Sequence, residues 1–175
     1  YISQPQTTQP RDSWVNSRDW RERLRTGQPD EIYFWYRQSP RAFARFGDTK
    51  IDYFNPSATE TSGMVRIALD VRGRVTEFTA VPPQVEADNL PKVSTDWASV
   101  FTEAGLDVRN YKQTESKWTP WTYADERAAW EGGLVDHPEI PVRIEAAAYQ
   151  GKPVYFKVIM PWDEPYREQE DTMQL

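Results

Sequence analysis

The 175-residue chain has no cysteine, which excludes a disulfide scaffold, a thiolate metal site and a cysteine nucleophile. It has a single histidine, too few for a histidine-built metal centre. Basic residues are the minority, 21 Lys and Arg against 27 Asp and Glu, for a formal charge of −6. Such a chain lacks the basic footprint of a nucleic-acid binder and is not suited to anionic lipid. The 8 glycines are scattered, with no GxGxxG or P-loop spacing. No apolar run reaches the ~20 residues needed to cross a bilayer, and no signal peptide is recognisable. The start at Tyr1 rather than Met reads as a piece of a longer protein.

Aromatics are plentiful, with 8 Trp, 9 Tyr and 7 Phe, enough to fill a core. The length suits one medium domain or two small ones.

The clearest pattern is internal. "GMVRIALDVRGRVTEFTAVPP" at 63–83 returns as "IPVRIEAAAYQGKPVYFKVIMPW" at 140–162. Val65, Ile67 and Leu69 recur at period 2, as do Val142, Ile144 and Ala146 at the start of the second stretch, which predicts half-buried strands. Gly73 and Gly151 sit where a hairpin turn needs a left-handed residue. Matched at Val65-Arg66-Ile67 and Val142-Arg143-Ile144, the second copy carries one extra residue just before its turn. Upstream, Asp19-Trp20 matches Asp96-Trp97. Trp97, Val100, Phe101 and Ala104 form one helical face, with Ser94 or Thr95 as the cap and Gly105 as the stop. In the first copy Ser17 caps, Trp20 and Leu24 face inward, and Gly27 closes.

These features predict an α+β fold, a tandem repeat of a helix-plus-antiparallel-sheet unit with its two halves packed together. The expected layout is a flexible lead-in (1–11), a first repeat (12–83), a connector (84–93), a second repeat (94–162) and a charged exit segment (163–175). Trp97, Phe101, Ile67, Ile144 and Phe156 are the expected core.

Catalytic and metal signals are weak. His137 lies in "DHPEIP", a Pro-rich turn, and Asp136, His137 and Glu139 specify no particular metal. Asp125, Glu126 and Glu131 supply carboxylates of the kind glycosidases use, but in a setting that reads as charged surface. Nothing marks a nucleophile elbow. No catalytic residue, metal site or cofactor is predicted.

The aromatic–arginine clusters are richer. In "YFWYR", alternation sends Tyr33, Trp35 and Arg37 to one side of a strand and Phe34 and Tyr36 to the other. One set belongs in the core, and the other is either covered by the second half or exposed. Trp121, Tyr123 and Arg127 give the second copy a similar supply. Exposed Trp, Tyr and Arg are common interface anchors, so Trp35, Arg37, Trp121, Tyr123 and Arg127 are the candidate ligand-binding residues. The competing reading has these rings joining the two halves.

Several long strings, in order, carry a resemblance. They are "DWRERLRTGQPDEIYFWYRQSPRAF", "GMVRIALDVRGRVTEFTAVPPQVE", "DWASVFTEAGLD", "YADERAAWEG" and "IPVRIEAAAYQGKPVYFKVIMPW". Together they resemble the region that follows the kinase domain in large membrane-anchored bacterial serine/threonine protein kinases, notably acidobacterial ones, over roughly residues 18–165. The resemblance implies a membrane-embedded parent with an intracellular kinase, and places this stretch outside the cytoplasm. Neither "HRD" nor "DFG" occurs, so this stretch is not itself a kinase. The expected function is therefore a non-catalytic extracytoplasmic sensor domain with a small-molecule, peptide or protein ligand. A protein-interaction or inhibitor-like module is the alternative, since the repeat unit also looks like the small α+β modules of secreted inhibitors. A hydrolase is the third possibility.

Overall fold

The computed structural model describes Arg21, Arg25, residues 32–43, Tyr53, residues 61–85, residues 93–165 and Arg167. The lead-in 1–11, the expected first helix with Trp20 and Leu24, and most of the connector and exit segment lie outside the described residues.

Seven strands form one antiparallel sheet. They are β1 (Phe34–Gln38), β2 (Val65–Leu69), β3 (Val75–Ala80), β4 (Tyr111–Thr114), β5 (Glu126–Leu134), β6 (His137–Tyr149) and β7 (Lys152–Ile159). The order across the sheet is β1-β2-β3-β7-β6-β5-β4. The sheet is accompanied by an α-helix, α1 (Trp97–Glu103), and a short 3-10 turn, Val108–Asn110; Arg21 and Arg25 are also helical.

This overturns the expected tandem helix-plus-sheet architecture. The described residues are mainly β and form one continuous sheet rather than two halves packed face to face. Within the sheet, what recurs is the hairpin. β2–β3 and β6–β7 lie side by side and fuse through the β3–β7 pair, where Phe78 stands opposite Phe156. Backbone hydrogen bonds across that pair take the place of an interface between halves.

The repeat also has a different register from the one its strings suggest. Ile67 pairs with Phe78, and Ala146 pairs with Phe156. The outgoing strands therefore correspond at 146 − 67 = 79 and the return strands at 156 − 78 = 78. The Val-Arg-Ile match, at 142 − 65 = 77, is thus two residues out of ladder register. A slide of two preserves the facing of every side chain, so alternation alone cannot detect it. The extra residue is in the first turn, not the second. Asp70 N donates to Arg74 O around a three-residue loop, while Tyr149 and Lys152 flank a two-residue loop. In that second loop Gln150 and Gly151 both have positive φ, 52° and 73°, as a type I′ turn requires. Each return strand carries a bulge, which leaves Thr76 and Val154 unpaired at matching positions.

The helix forms where its apolar spacing predicts, but its cap is Asp96. The Asp96 carboxylate accepts from Ser99 N and Ser99 Oγ. Thr95 is committed elsewhere, its N–H and hydroxyl both donating to Glu126. Gly105, at φ 75°, ends the helix, and Leu106 N reaches back to Phe101 O.

α1 packs on one face of the sheet, over β5, β6 and β7. Phe101 meets Trp130 at 4.8 Å and Phe156 at 5.9 Å between ring centroids. Trp97 meets Trp130 edge-on at 5.6 Å and donates its indole N–H to Glu126. Phe101, Ile144 and Phe156 are buried as expected, whereas Trp97 and Ile67 are only half-buried. Trp97 lies on the rim of α1, and Ile67 lies on the part of the sheet beyond it.

Candidate functional site

β1 is the outer strand of the sheet among the described residues, and it is where the candidate residues depart most from expectation. Ile32, Tyr33, Phe34, Trp35 and Tyr36 are 48, 48, 60, 43 and 57 % exposed. Alternation had assigned one set of the run to the core. In the structure Phe34, Trp35 and Tyr36 all face solvent, from both faces of the strand. The reason is position. Among the described residues β1 has a strand neighbour on one side only, β2, and α1 lies toward the other end of the sheet. Arg37 is the exception within β1 and is buried. Its guanidinium lies 4.9 Å from the centre of the Phe43 ring.

The face of β1 opposite the helix is backed by a fixed platform. Tyr53 is buried, 6.0 Å from the Tyr33 ring and 6.3 Å from the Trp35 ring. Arg66 lies over the Tyr53 ring at 4.5 Å and pairs with Glu77 at 2.5 Å, and Lys157 approaches Glu77 at 3.8 Å. Burial, reinforced by the Glu77 carboxylate, pushes the Tyr53 phenol well above its ordinary value, so it stays neutral. Tyr33 and Trp35 are thus seated from behind while their outer surfaces remain open. Such pre-set rings lose little freedom when something binds.

The second candidate set sits elsewhere. Trp121 is exposed, with the Arg167 guanidinium 4.6 Å over its ring. The next residue, Thr122, donates to Ala80 O, which anchors this loop at the end of β3. Tyr123 is exposed and stacks edge-on against Tyr149 at 5.7 Å. Arg127 is exposed on β5. β1 and β5 are five strand spacings apart, so Trp35 and Arg127 lie roughly 24 Å from each other. Repeat symmetry does not unite the two sets. By ladder register, the position equivalent to Trp35 is Arg127, and that of Arg37 is Ala129. No small ligand spans that separation.

The other chemical candidates are committed to structural partners. Glu126 caps the approach to α1, Asp125 accepts from Gln150 N, and Glu131 pairs with Arg143 at 2.6 Å. Glu126 and Glu131 point to opposite faces of β5, so they cannot converge on one bond. Asp136 accepts from Arg74 at 2.8 Å, and His137 opens β6 beside Glu139 at 3.2 Å. Among the described residues no three metal-ligating side chains gather. A small space between Asp70, Arg74, Leu106, Tyr111 and Met160 holds about 10 Å³, barely one water.

Sequence reasoning missed the Asp70–Arg74–Asp136 cluster, which ties the first hairpin turn to the β5–β6 turn across 62 residues. No local pattern announces such a contact. It also missed Ile32, Tyr33, Phe34 and Tyr36 as members of one exposed strip. The signal was present: five apolar residues in a row, without the alternation of a half-buried strand.

No helix among the described residues is long and apolar enough to cross a membrane. No family model matches the chain, and no curated protein or solved structure is significantly similar to it.

Proposed function

We propose that this domain is a non-catalytic recognition module that binds an extended segment of a protein partner along β1. The observation that carries the reading is the open aromatic strip Ile32–Tyr36 on a sheet edge. An edge strand offers unpaired backbone donors and acceptors, and its alternating side chains offer two rows of contacts. A small-molecule sensor would need a concave, mostly enclosed site. A hydrolase would need converging catalytic groups. The flat aromatic edge supports a protein partner over both.

The resemblance to the region following bacterial receptor-type kinase domains supplies a context for the proposal. In that context the module lies outside the cytoplasm, and partner binding shifts the population of a membrane-coupled kinase. The strip itself does no chemistry. It provides affinity through backbone pairing and selects its partner through ring contacts.

The test is selection of short random peptides displayed on phage against the whole chain. The expected binders alternate apolar and polar residues, as an added strand does. Phe34→Lys is expected to weaken them at least about tenfold, ~1.4 kcal/mol, with the melting midpoint unchanged. Failure to select any binder, or binders indifferent to both Phe34→Lys and Tyr36→Lys, overturns the assignment of β1 as the recognition edge.

A further inference from the structure

We propose that the partner of this edge in the absence of other ligands is a second copy of this chain, the two Ile32–Tyr36 segments running antiparallel about a two-fold axis at Phe34, the residue that opens β1. The inference rests on the reading of β1 as a recognition edge and adds its occupant. Two seven-stranded sheets then join into one.

The strip is self-complementary about its midpoint. With Phe34 opposite its own copy, Ile32 faces Tyr36 and Tyr33 faces Trp35. All five exposed side chains find apolar partners, and no like charges meet. Aromatic pairs directly across a strand pair are among the favourable ones. A two-fold contact needs only one surface, which this edge provides.

The two ends of the sheet differ in the same sense. β4 is four residues long, with Lys112 and Gln113 exposed, the short charged edge that discourages pairing. Residues 32–36 carry no charge and no proline, the residue types that discourage edge pairing.

Area sets the strength. About half of each of five large side chains is open, and a buried aromatic covers about 200 Å², so the strip supplies roughly 500 Å² per copy. The pair then reaches about 1,000 Å², the lower limit of a specific interface. The dimer is therefore weak and concentration-dependent, and a binding partner segment competes with it directly. That competition provides a sensing step, in which a ligand converts dimer to monomer.

The experiment is sedimentation equilibrium on the whole chain over roughly 1–200 µM, with Phe34→Lys alongside. The expected result is a reversible monomer–dimer equilibrium, abolished by Phe34→Lys without a change in melting midpoint. Because the chain has no cysteine, a single introduced one reports the register. Phe34→Cys is expected to form a disulfide-linked dimer under mild oxidation, while Val135→Cys, exposed in the β5–β6 turn, does not. A selected β1-binding peptide is expected to dissociate the dimer. A chain that stays monomeric throughout, or a dimer that survives Phe34→Lys, overturns the inference. If the chain is monomeric yet still binds peptides along β1, self-pairing is wrong and the recognition reading stands. If it does neither, both are wrong.

Discussion

Phe78 and Phe156 face each other across the β3–β7 pair, and they occupy the same position in the two hairpins. Their neighbours confirm the geometry: Glu77 opposes Lys157, and Thr79 opposes Tyr155. The hairpins are thus related by an approximate two-fold axis between the two rings, perpendicular to the sheet. Their surroundings break the symmetry. Phe156 lies under Phe101 of α1 and is buried, while Phe78 is half-buried.

That asymmetry has an energetic consequence. Phe156→Ala is expected to cost about 3–5 kcal/mol, as a large core truncation does, and Phe78→Ala roughly half as much. Urea denaturation of the two variants checks it. Equal costs would mean that α1 contributes nothing to the burial of Phe156.

Arg74 holds the turns of two hairpins together. Its Nε donates to Asp70 at 2.6 Å and its Nη1 to Asp136 at 2.8 Å. Asp70 is fully buried, and Asp136 is partly open. Arg74→Met therefore leaves a buried carboxylate without its cation, at an expected cost of about 3–5 kcal/mol. Adding Asp70→Asn to Arg74→Met should restore part of that loss, because the stranded charge is gone. A double mutant as unstable as the sum of its parts would show that the pair does not act as a unit.

Asp163 predicts a pH dependence. Burial raises its pKa above the ordinary carboxylate value, opposed by the hydrogen bond from Met160 N and by Lys157, and aided by Glu77. The folded state therefore binds this proton more readily than the unfolded state. Between the unfolded value, ~3.9, and the raised folded value, the contribution of Asp163 to stability grows as pH falls. Asp163→Asn removes that slope. Urea midpoints measured across the acid range, wild type against Asp163→Asn, should diverge in that window, with the variant gaining on the wild type as pH rises. Parallel curves would remove Asp163 from the account.

Two glycines separate backbone strain from contact. Gly73 (φ 80°) has open space where a Cβ would go, whereas a Cβ at Gly105 (φ 75°) would meet Arg74 Cγ at 2.8 Å. Gly73→Ala is expected to cost about 1–2 kcal/mol, the penalty of a left-handed alanine. Gly105→Ala is expected to cost more, because it also displaces the side chain that clamps Asp70. Thermal melts should rank the two in that order.

Much of this molecule is legible in its residues alone. Gly73 and Gly151 announce two hairpins because a left-handed turn residue is nearly a glycine monopoly. The spacing of Trp97, Val100, Phe101 and Ala104, with Gly105 after it, specifies α1 because a helix buries one stripe and needs a stop. The lack of cysteine and of any nucleotide-binding glycine pattern removes whole classes of chemistry. Tertiary structure decided the rest. It chose a ladder two residues away from the matching strings, which alternation could not detect because a slide of two keeps every side chain on its face. It buried Glu145 beneath Ser116, Lys117 and Arg143, partners contributed by other segments and by its own strand. It also left Tyr33–Tyr36 open on both faces of an edge, where alternation puts one set in the core. An apolar run records only that burial would be favourable; whether a neighbour arrives to bury it depends on the strand's place in the sheet, which no local pattern contains.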